Sequence, residues 1–232
     1  MRRETLQALL DAQAAGRAVA LVTPLDGSAQ RVIDAADVQP MDADSAALAA
    51  AVREALLTDR AVLLPWGSTQ ALVSPWNPPL HLVIVGAVHI AEALCRMARI
   101  AGYQVTLIEP RSGFARTALF PDVRLLNEWP QQAFASIQCD SRTAVVLLTH
   151  DPKIDDPALD CVRGRPVFYI GALGSTRTQA RRLERLAARG WSAEELARIQ
   201  GPAGLAIGAR TPAEIALSIL AQLTQALRAR RA

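Results

Sequence analysis

Short hydrophobic runs follow one another at regular intervals through the second part of the chain. Five runs rich in valine, leucine and isoleucine end roughly 20 residues apart, and a segment suited to a helix follows each of them. Parallel strands buried on both faces have this continuous apolar character, and crossover helices supply the spacing. We therefore predict an α/β fold with a doubly wound parallel sheet. The runs occupy residues 81–86, 103–109, 123–126, 144–150 and 167–171.

The first part of the chain has a less regular pattern and ends in a proline-rich segment. Three prolines in the sequence SPWNPP at 74–79 favour an extended connector, because proline cannot continue a helix. We expect a small mixed α/β N-terminal domain over residues 1–79 and a Rossmann-like domain over residues 80–232. Within the first domain the pattern predicts helices over 3–14 and 45–58 and strands over 17–23 and 61–65.

Ligands of a doubly wound sheet bind beyond the carboxyl ends of its strands, so residues that follow the predicted strands are the candidates for function. Four predicted strands end in segments with glycine, histidine or charged residues, and the topology would bring these segments to one edge. The candidate cofactor-binding residues are Gly86, Val88, His89, Glu109, Arg111, His150, Asp151, Gly171, Gly174, Ser175 and Arg177.

The first of these turns stands where a dinucleotide-binding fingerprint would occur. It has Gly86, Val88 and Ala91 in place of three glycines, so a β-branched side chain lies where the backbone would approach a pyrophosphate. Glu109 follows the next strand at a distance suited to a ribose hydroxyl acceptor, and it is equally typical of a solvated strand end. NAD(P) binding stays open as an alternative.

Two histidines and a second glycine-rich turn add polar groups. A neutral imidazole of His89 or His150 can donate or accept a hydrogen bond, and Asp151 can orient His150; alternatively, these side chains only satisfy loop groups. The sequence GALGS at 171–175 predicts a turn whose backbone N–H groups hold an oxyanion, with Arg177 beside it. The later arginines 181, 185 and 189 have the spacing of a solvated helix face.

Composition and charge limit the class of protein. Hydrophobic residues make up 51% of the 232 residues, yet no apolar run approaches the roughly 20 residues that span a bilayer. The first residues lack the apolar stretch of a secretory leader, so we expect a cytoplasmic chain with no membrane partner. Residues 80–232 carry a net charge of +6 against −3 for residues 1–79, which favours an anionic ligand. Aromatic residues amount to 4%, too few for a nucleic-acid stacking platform.

The motifs of several enzyme classes and metal sites are missing from the sequence. Cys95, Cys139 and Cys161 are too widely spaced for a CxxC metal or redox pair, and we expect free thiols. The chain has no GxSxG, HExxH or Walker sequence, so hydrolases and nucleotidases have no support. We predict no catalytic residues and no metal ligands.

Taken in order, LVIVGAVHIAEAL, YQVTLIEPR, VVLLTHDPKID, FYIGALGS and GPAGLAIGARTPAEIALSILAQL resemble the xanthine dehydrogenase accessory factor family, XdhC/CoxI. The resemblance covers about residues 80–228. It implies a small N-terminal domain before a Rossmann-like one, and a protein that binds molybdenum cofactor. It also implies support of cofactor sulfuration with a cysteine desulfurase, delivery to a xanthine dehydrogenase-type molybdenum hydroxylase, and a homodimer.

The chain departs from the family pattern at several points. The family's GAGHVG reads GAVHIA here, so Val88 and Ala91 differ while Gly86 and His89 match. The family's THDH reads THDP here, with Pro152 in place of the last histidine. The family's GLDIGA reads GLAIGA, with Ala206 in place of an acid. Many relatives have a cysteine-containing stretch in the N-terminal domain, whereas residues 24–79 contain no cysteine.

Three functions remain in view at this point. The first is an accessory protein that binds molybdenum cofactor and hands it to a hydroxylase. The second is an NAD(P)-dependent oxidoreductase with an altered glycine turn. The third is a scaffold that binds no cofactor and docks a protein partner through its arginine-rich helix.

Overall fold

A computed structural model gives the architecture of the chain, and it describes residues 1–34, 37, 43–111, 113 and 119–229. The chain divides into two compact units, with the boundary between Pro78 and Pro79. Each unit has its own sheet and its own hydrophobic core. None of the helices in the described part of the chain combines the length and hydrophobicity that crossing a bilayer requires.

The first unit is a four-stranded antiparallel sheet in the order β2-β1-β4-β3, with one helix against each of two small cores. Alternate residues of the central strand β1 face opposite sides, so Ala20 and Val22 pack with the second helix, and Val19 and Leu21 pack with the first. The elements are α1 (Arg3–Ala14), β1 (Val19–Pro24), β2 (Arg31–Asp34), α2 (Ala43–Thr58), β3 (Val62–Trp66) and β4 (Thr69–Trp76).

Strand β4 runs into the segment that the prolines predict to be a connector. Pro75 pairs with Ala20 of β1, whereas the pairing of β4 with β3 extends only as far as Val73. A proline without an N–H fits this position because no neighbouring strand needs its hydrogen bond on the second side. The segment between the two sheets is therefore shorter than predicted.

The second unit is a six-stranded sheet in the order β10-β9-β8-β5-β6-β7, and every neighbouring pair is parallel. This is the strand order of the dinucleotide-binding fold. The topological switch point, where the order of the strands reverses, lies between β5 and β8. The prediction of a Rossmann-like, doubly wound parallel sheet is confirmed. Its strands are β5 (His81–Val85), β6 (Gln104–Ile108), β7 (Arg124–Leu126), β8 (Thr143–Leu147), β9 (Tyr169–Ala172) and β10 (Ile199–Gln200).

Helices cover both faces of this sheet. The side chains of Leu82 and Ile84 in β5 enter one core with α3 and α8, whereas Val83 and Val85 enter the other core with α4, α5 and α6. Strand alternation thus divides one continuous apolar run between two cores. The helices are α3 (His89–Ile100), α4 (Pro130–Ala135), α5 (Pro152–Val162), α6 (Thr176–Ala188), α7 (Ala193–Ala197) and α8 (Pro212–Ala229).

Side chains cap three helices of the second unit. Ser192 and Glu195 form a reciprocal capping box at α7. Thr211 Oγ1 accepts the N–H of Glu214 at 3.2 Å, and the Glu214 carboxylate accepts the N–H of Thr211 at 2.9 Å, at the start of α8. The arginine-rich helix α6 is capped as well, because Ser175 Oγ accepts the N–H of Thr178.

Candidate functional site

The four strand ends that the sequence analysis singled out lie side by side. Strands β9, β8, β5 and β6 are consecutive neighbours in the parallel sheet, so the segments that follow them share its carboxyl edge. We call these segments the rim: residues 86–91, 109–111, 149–151 and 171–177. All eleven predicted binding residues belong to the rim.

Gly86 makes the closest approach between two rim segments. Its φ is +109°, and an added Cβ would lie 2.6 Å from Thr149 Cγ2 and 3.2 Å from Thr149 N. Residues with side chains rarely adopt this backbone conformation, and the neighbouring turn leaves no room for a methyl group. Glycine is therefore required where the segments that follow β5 and β8 pass each other.

Helix α3 begins at His89, three residues after Gly86, without a side-chain cap among the described residues. Val88 has an extended conformation, φ −95° and ψ 169°, which a β-branched residue adopts readily. His89 is the first helical residue; its side chain is 90% exposed and lies 3.5 Å from Glu92. Backbone N–H groups in the first turn of a helix without a cap can bind an anion.

Glu109 is buried next to this turn, and its carboxylate accepts four hydrogen bonds. Its Oε2 accepts the N–H of Ala87 and the Nη2 of Arg111, both at 2.7 Å, and its Oε1 accepts the backbone N–H and Nε of Arg111 at 2.9 and 2.8 Å. Burial raises the pKa of Glu109, but the hydrogen bonds from Arg111 and Ala87 outweigh it and lower the pKa overall. A ribose hydroxyl would have to displace one of these donors.

Arg111 joins the end of β6 to the acids beyond β8. Hydrogen bonding to Glu109 raises the pKa of Arg111, and the carboxylates of Asp151 and Asp155 raise it further. The guanidinium, which is 30% exposed, thus lies within electrostatic reach of both segments. The rim has a mixed charge here because carboxylates surround the arginine.

The segment after β8 contains an exposed histidine and a capping aspartate. His150 is exposed and has a φ of +60°, an uncommon conformation for a residue with a side chain. The carboxylate of Asp151 accepts the N–H of Lys153 at 2.9 Å and so caps α5, where Pro152 occupies the first turn. Asp151 therefore has a structural partner of its own.

The end of β9 and the turn that follows it require two glycines for different reasons: Gly171 lies within the strand and Gly174 in the turn. An added Cβ at Gly171 would lie 2.5 Å from the ring of Tyr169, and one at Gly174, whose φ is +142°, would lie 2.9 Å from Thr178. Ser175 caps α6 by accepting the N–H of Thr178 at 3.1 Å. Arg177 is exposed and forms no ion pair with the described residues, which leaves its guanidinium available to an anion.

Sequence reasoning missed two residues behind the rim, Asp155 and Arg182, which contact it through Thr149. Thr149 Oγ1 hydrogen-bonds to Asp155, whose second oxygen lies 3.5 Å from Arg182 Nη2. Arg182 is 1% exposed and Asp155 is 2% exposed. The helical spacing of residues 179, 182 and 186 was the available signal, because Gln179, Arg182 and Leu186 form the buried stripe of α6.

Arg185 in α6 and Arg189 at its end are paired with acids on α5. Arg185 contacts both carboxylate oxygens of Asp156 at 2.9 Å, and Arg189 hydrogen-bonds to Asp160. Two of the three arginines on the predicted solvated face thus form interhelical ion pairs at the surface, whereas Arg181 is exposed. Of this helix's arginines, Arg177 and Arg181 form no ion pair with the residues that the structure describes.

The described residues contain no group of three histidine, cysteine or acidic side chains arranged to hold a metal ion. All three cysteines are free, and burial raises the pKa of the Cys95 thiol to about 12. Two open surface pockets lie away from the rim. An apolar one of about 460 Å³ lies between Ile100 of α3 and Phe120, and a polar one of about 530 Å³ lies near the amino ends of β5 and β6.

All four rim segments lie within the part of the chain that a family model matches. The model of the XdhC Rossmann domain matches residues 82–223, more than half of the chain. The chain belongs to the XdhC family. The family resemblance inferred from the sequence is confirmed.

Curated relatives are similar to this chain over about two thirds of its length. The molybdenum cofactor insertion chaperone PaoD of Escherichia coli (strain K12) is 36% identical over 148 residues, 64% of this chain and 40% of PaoD. A Bacillus subtilis (strain 168) protein, named as a probable xanthine dehydrogenase subunit, is 28% identical over 159 residues, 68% of this chain and 46% of that protein. The chain therefore spans less than half the length of these relatives.

A solved structure shares the fold. A crystal structure described as a xanthine dehydrogenase from Bacillus halodurans has a TM-score of 0.73, covering 99% of this chain and 68% of that one. The sequence identity is 22%, so the likeness concerns the fold alone.

Proposed function

We propose that this chain is an accessory protein that binds molybdenum cofactor at the rim and hands it to a xanthine dehydrogenase-type molybdenum hydroxylase. It performs no catalytic step in this proposal. The observation that carries the proposal is the arrangement of the four rim segments at one sheet edge, in a chain 36% identical to a named molybdenum cofactor insertion chaperone.

The chemistry of the rim suits the phosphate end of the cofactor. Two groups offer donors to an anion: the N-terminus of α3, which no described side chain caps, and the exposed guanidinium of Arg177. His89 and His150 are exposed beside them and add hydrogen-bonding groups. These residues would hold and orient the pterin phosphate.

The same residues do not suit direct coordination of molybdenum. No cysteine belongs to the rim, and the thiol of Cys95 is buried in the core that α3 shares with α8. When bound, the cofactor supplies the metal and dithiolate that the hydroxylase uses. Holding the phosphate end while leaving the metal end free of protein ligands is consistent with a protein that passes its cargo on.

The cofactor proposal is tested by loading. The chain is produced in a host that makes molybdenum cofactor and purified under reducing conditions, and its molybdenum and pterin are quantified. We expect both in near-equal amounts, and we expect the loaded protein to activate an apo-hydroxylase. Absence of both, together with no transfer, contradicts the proposal.

A matched pair of variants locates the site. Arg177→Met removes the rim guanidinium, and Arg181→Met removes an exposed arginine one turn further along the same helix. We expect Arg177→Met to lower cofactor loading by about 3- to 10-fold, because a charge-assisted hydrogen bond is lost. Arg181→Met should load like the unmodified chain. Equal losses in both variants would indicate a general effect of net charge.

We further propose that the accessory role includes sulfuration of the cofactor with a cysteine desulfurase, and that the chain forms a homodimer. The thiocyanate that forms when cyanide removes the terminal sulfur of the loaded cofactor, measured with and without a desulfurase present during loading, tests the first part. Light scattering of the purified chain tests the second part. A thiocyanate yield that does not depend on the desulfurase, or a monomer mass at all concentrations, contradicts the respective part.

A further inference from the structure

We propose that Arg182 and Asp155 form a positioning pair that fixes the geometry of the rim segments after β8 and β9. Neither residue belongs to the rim, and both are almost completely buried behind it. The effect of this pair on cofactor binding rests on the proposed function. Its effect on the geometry of the rim does not.

The pair reaches the segment after β8 through Thr149. The Thr149 hydroxyl donates to Asp155 Oδ1 and accepts the N–H of Asp151 at 3.2 Å. The side chain of Thr149 also lies against Gly86. Asp155 therefore holds the residue at which two rim segments meet.

The pair reaches the segment after β9 through Arg182. Nη2 of Arg182 donates to the carbonyl oxygen of Leu173 at 3.0 Å, directly before Gly174. Nη1 donates to Gln179 Oε1 at 2.6 Å, and Gln179 Nε2 in turn donates to the carbonyl of Ile199 in β10. One guanidinium thus connects the ends of three adjacent strands.

The geometry of the pair is not that expected of a contact that serves only stability. Arg182 Nε is buried and has no hydrogen-bond partner among the described residues, and the contact with Asp155 is long at 3.5 Å. Burial lowers the pKa of Arg182 and raises that of Asp155, so desolvation acts against both charges. A buried ion pair of this kind contributes little net stability compared with apolar packing, and its directional hydrogen bonds are what apolar side chains cannot replace.

The neighbouring ion pair supplies a matched control. Arg185 and Asp156 connect the same two helices, α6 and α5, through two hydrogen bonds of 2.9 Å. None of their contacts among the described residues reaches a rim segment. If the buried pair only joined the helices, then loss of either pair would have the same consequence.

The test is amide hydrogen exchange on the whole chain, without cofactor, in Thr149→Val, Thr149→Ser, Arg182→Met and Asp156→Asn. Thr149→Val keeps the shape beside Gly86 and removes the hydroxyl that connects the rim to Asp155. We expect amides 173–178, on the far side of the pair, to exchange about 5- to 10-fold faster in this variant, since one hydrogen bond to a charged group is lost. Thr149→Ser should restore the exchange rate, and Asp156→Asn should leave it unchanged.

Arg182→Met tests the connection in the other direction. We expect amides 149–151 to exchange faster by a similar factor, whereas the exchange of amides in β5 stays the same. If this variant does not fold, the Thr149 variants still decide the matter. Unchanged exchange at 173–178 in Thr149→Val, or an equal acceleration in Asp156→Asn, would overturn the proposal.

A second measurement separates this inference from the proposed function. Supporting hydrogen bonds behind a binding site change its affinity by about 10- to 100-fold, so Thr149→Val should retain correspondingly less cofactor than Thr149→Ser after identical loading. If the unmodified chain carries no cofactor, the proposed function fails, and the exchange results alone decide the positioning role.

Discussion

The two glycine-containing turns of the parallel sheet each lead from a strand into a helix, but they offer different hydrogen-bond donors to an anion. The turn after β5 leads into a helix with no described side-chain cap and lies above a carboxylate already saturated by Arg111 and Ala87. The turn after β9 leads into a helix capped by Ser175 and carries the exposed guanidinium of Arg177. In the first turn the backbone offers the donors, whereas in the second the side chain does. An anionic ligand that contacts both would be held by two different kinds of donor.

The largest effect is expected at the glycine of the first turn. Gly86→Ala would combine an unfavourable φ with a methyl group 2.6 Å from Thr149, and we expect a loss of about 3 kcal/mol in the free energy of unfolding. Gly208→Ala is the control, because φ is +76° there and no described atom lies within 4 Å; about 1 kcal/mol is expected. Urea denaturation measures both. Equal losses would mean that backbone conformation alone sets the requirement at Gly86.

Glu109→Gln tests the saturated carboxylate. Removing its charge leaves Arg111 without this carboxylate, and we expect a loss of about 2 kcal/mol at neutral pH. The pKa of Glu109 is lowered in the folded chain, so its contribution is complete above the ordinary glutamate range and disappears as pH falls through the folded value. The stability difference between the two proteins should therefore shrink in acid. A difference that is independent of pH would show that the charge is not responsible.

Two variants change the helix caps in opposite directions, one by removing a cap and the other by adding one. Ser175→Ala removes the cap of α6 and should destabilise the chain by about 1 kcal/mol, whereas Val88→Thr offers α3 a hydroxyl and should stabilise it by about 0.5 kcal/mol. Thermal unfolding measures both changes. Val88→Thr should also reduce cofactor loading, because the new hydroxyl would occupy donors that the proposal assigns to the phosphate. A stabilised variant that loads fully would mean that the α3 N-terminus is not used.

The smallest effect is expected when nicotinamide cofactors are added to the chain, because we predict that they do not bind. Because Glu109 already accepts four hydrogen bonds, NADH and NADPH should show no saturable binding at micromolar concentration. Titration followed by nicotinamide fluorescence measures this. Saturation in that range would return the oxidoreductase alternative to consideration and would require Arg111 to release Glu109.

The sequence predicted the second unit well because its central strands are continuous apolar runs. Residues 82–85 and 143–147 are buried on both faces of the sheet, as expected for parallel strands between two layers of helices. Strand β10 was missed because it has two residues, too few for any periodicity. Strands β2 and β4 could not be given residue ranges for a different reason, since β2 is mostly half-exposed and β4 contains Pro75.

The rim segments could be located from the sequence, whereas their partners could not. The strand ends followed from the hydrophobic pattern, and the parallel topology placed Gly86, His150 and Gly174 at one edge. Which donor would reach Glu109, and which arginine of α6 would be buried, depended on side-chain packing between segments that the pattern does not relate. Arg182 has the same residue type as its exposed neighbours, so only its helical phase distinguishes it.

The packing of α8 against α3 has a consequence for how the chain is made. Ala216, Ile219 and Leu223 of α8 complete the core to which Leu94 and Ala98 of α3 belong. A ribosome synthesises α8 only after all six strands of the sheet that it covers. Until α8 emerges, α3 alone covers that side of the sheet and the apolar residues that α8 later buries stay exposed, the condition in which newly made polypeptides aggregate or recruit general folding helpers.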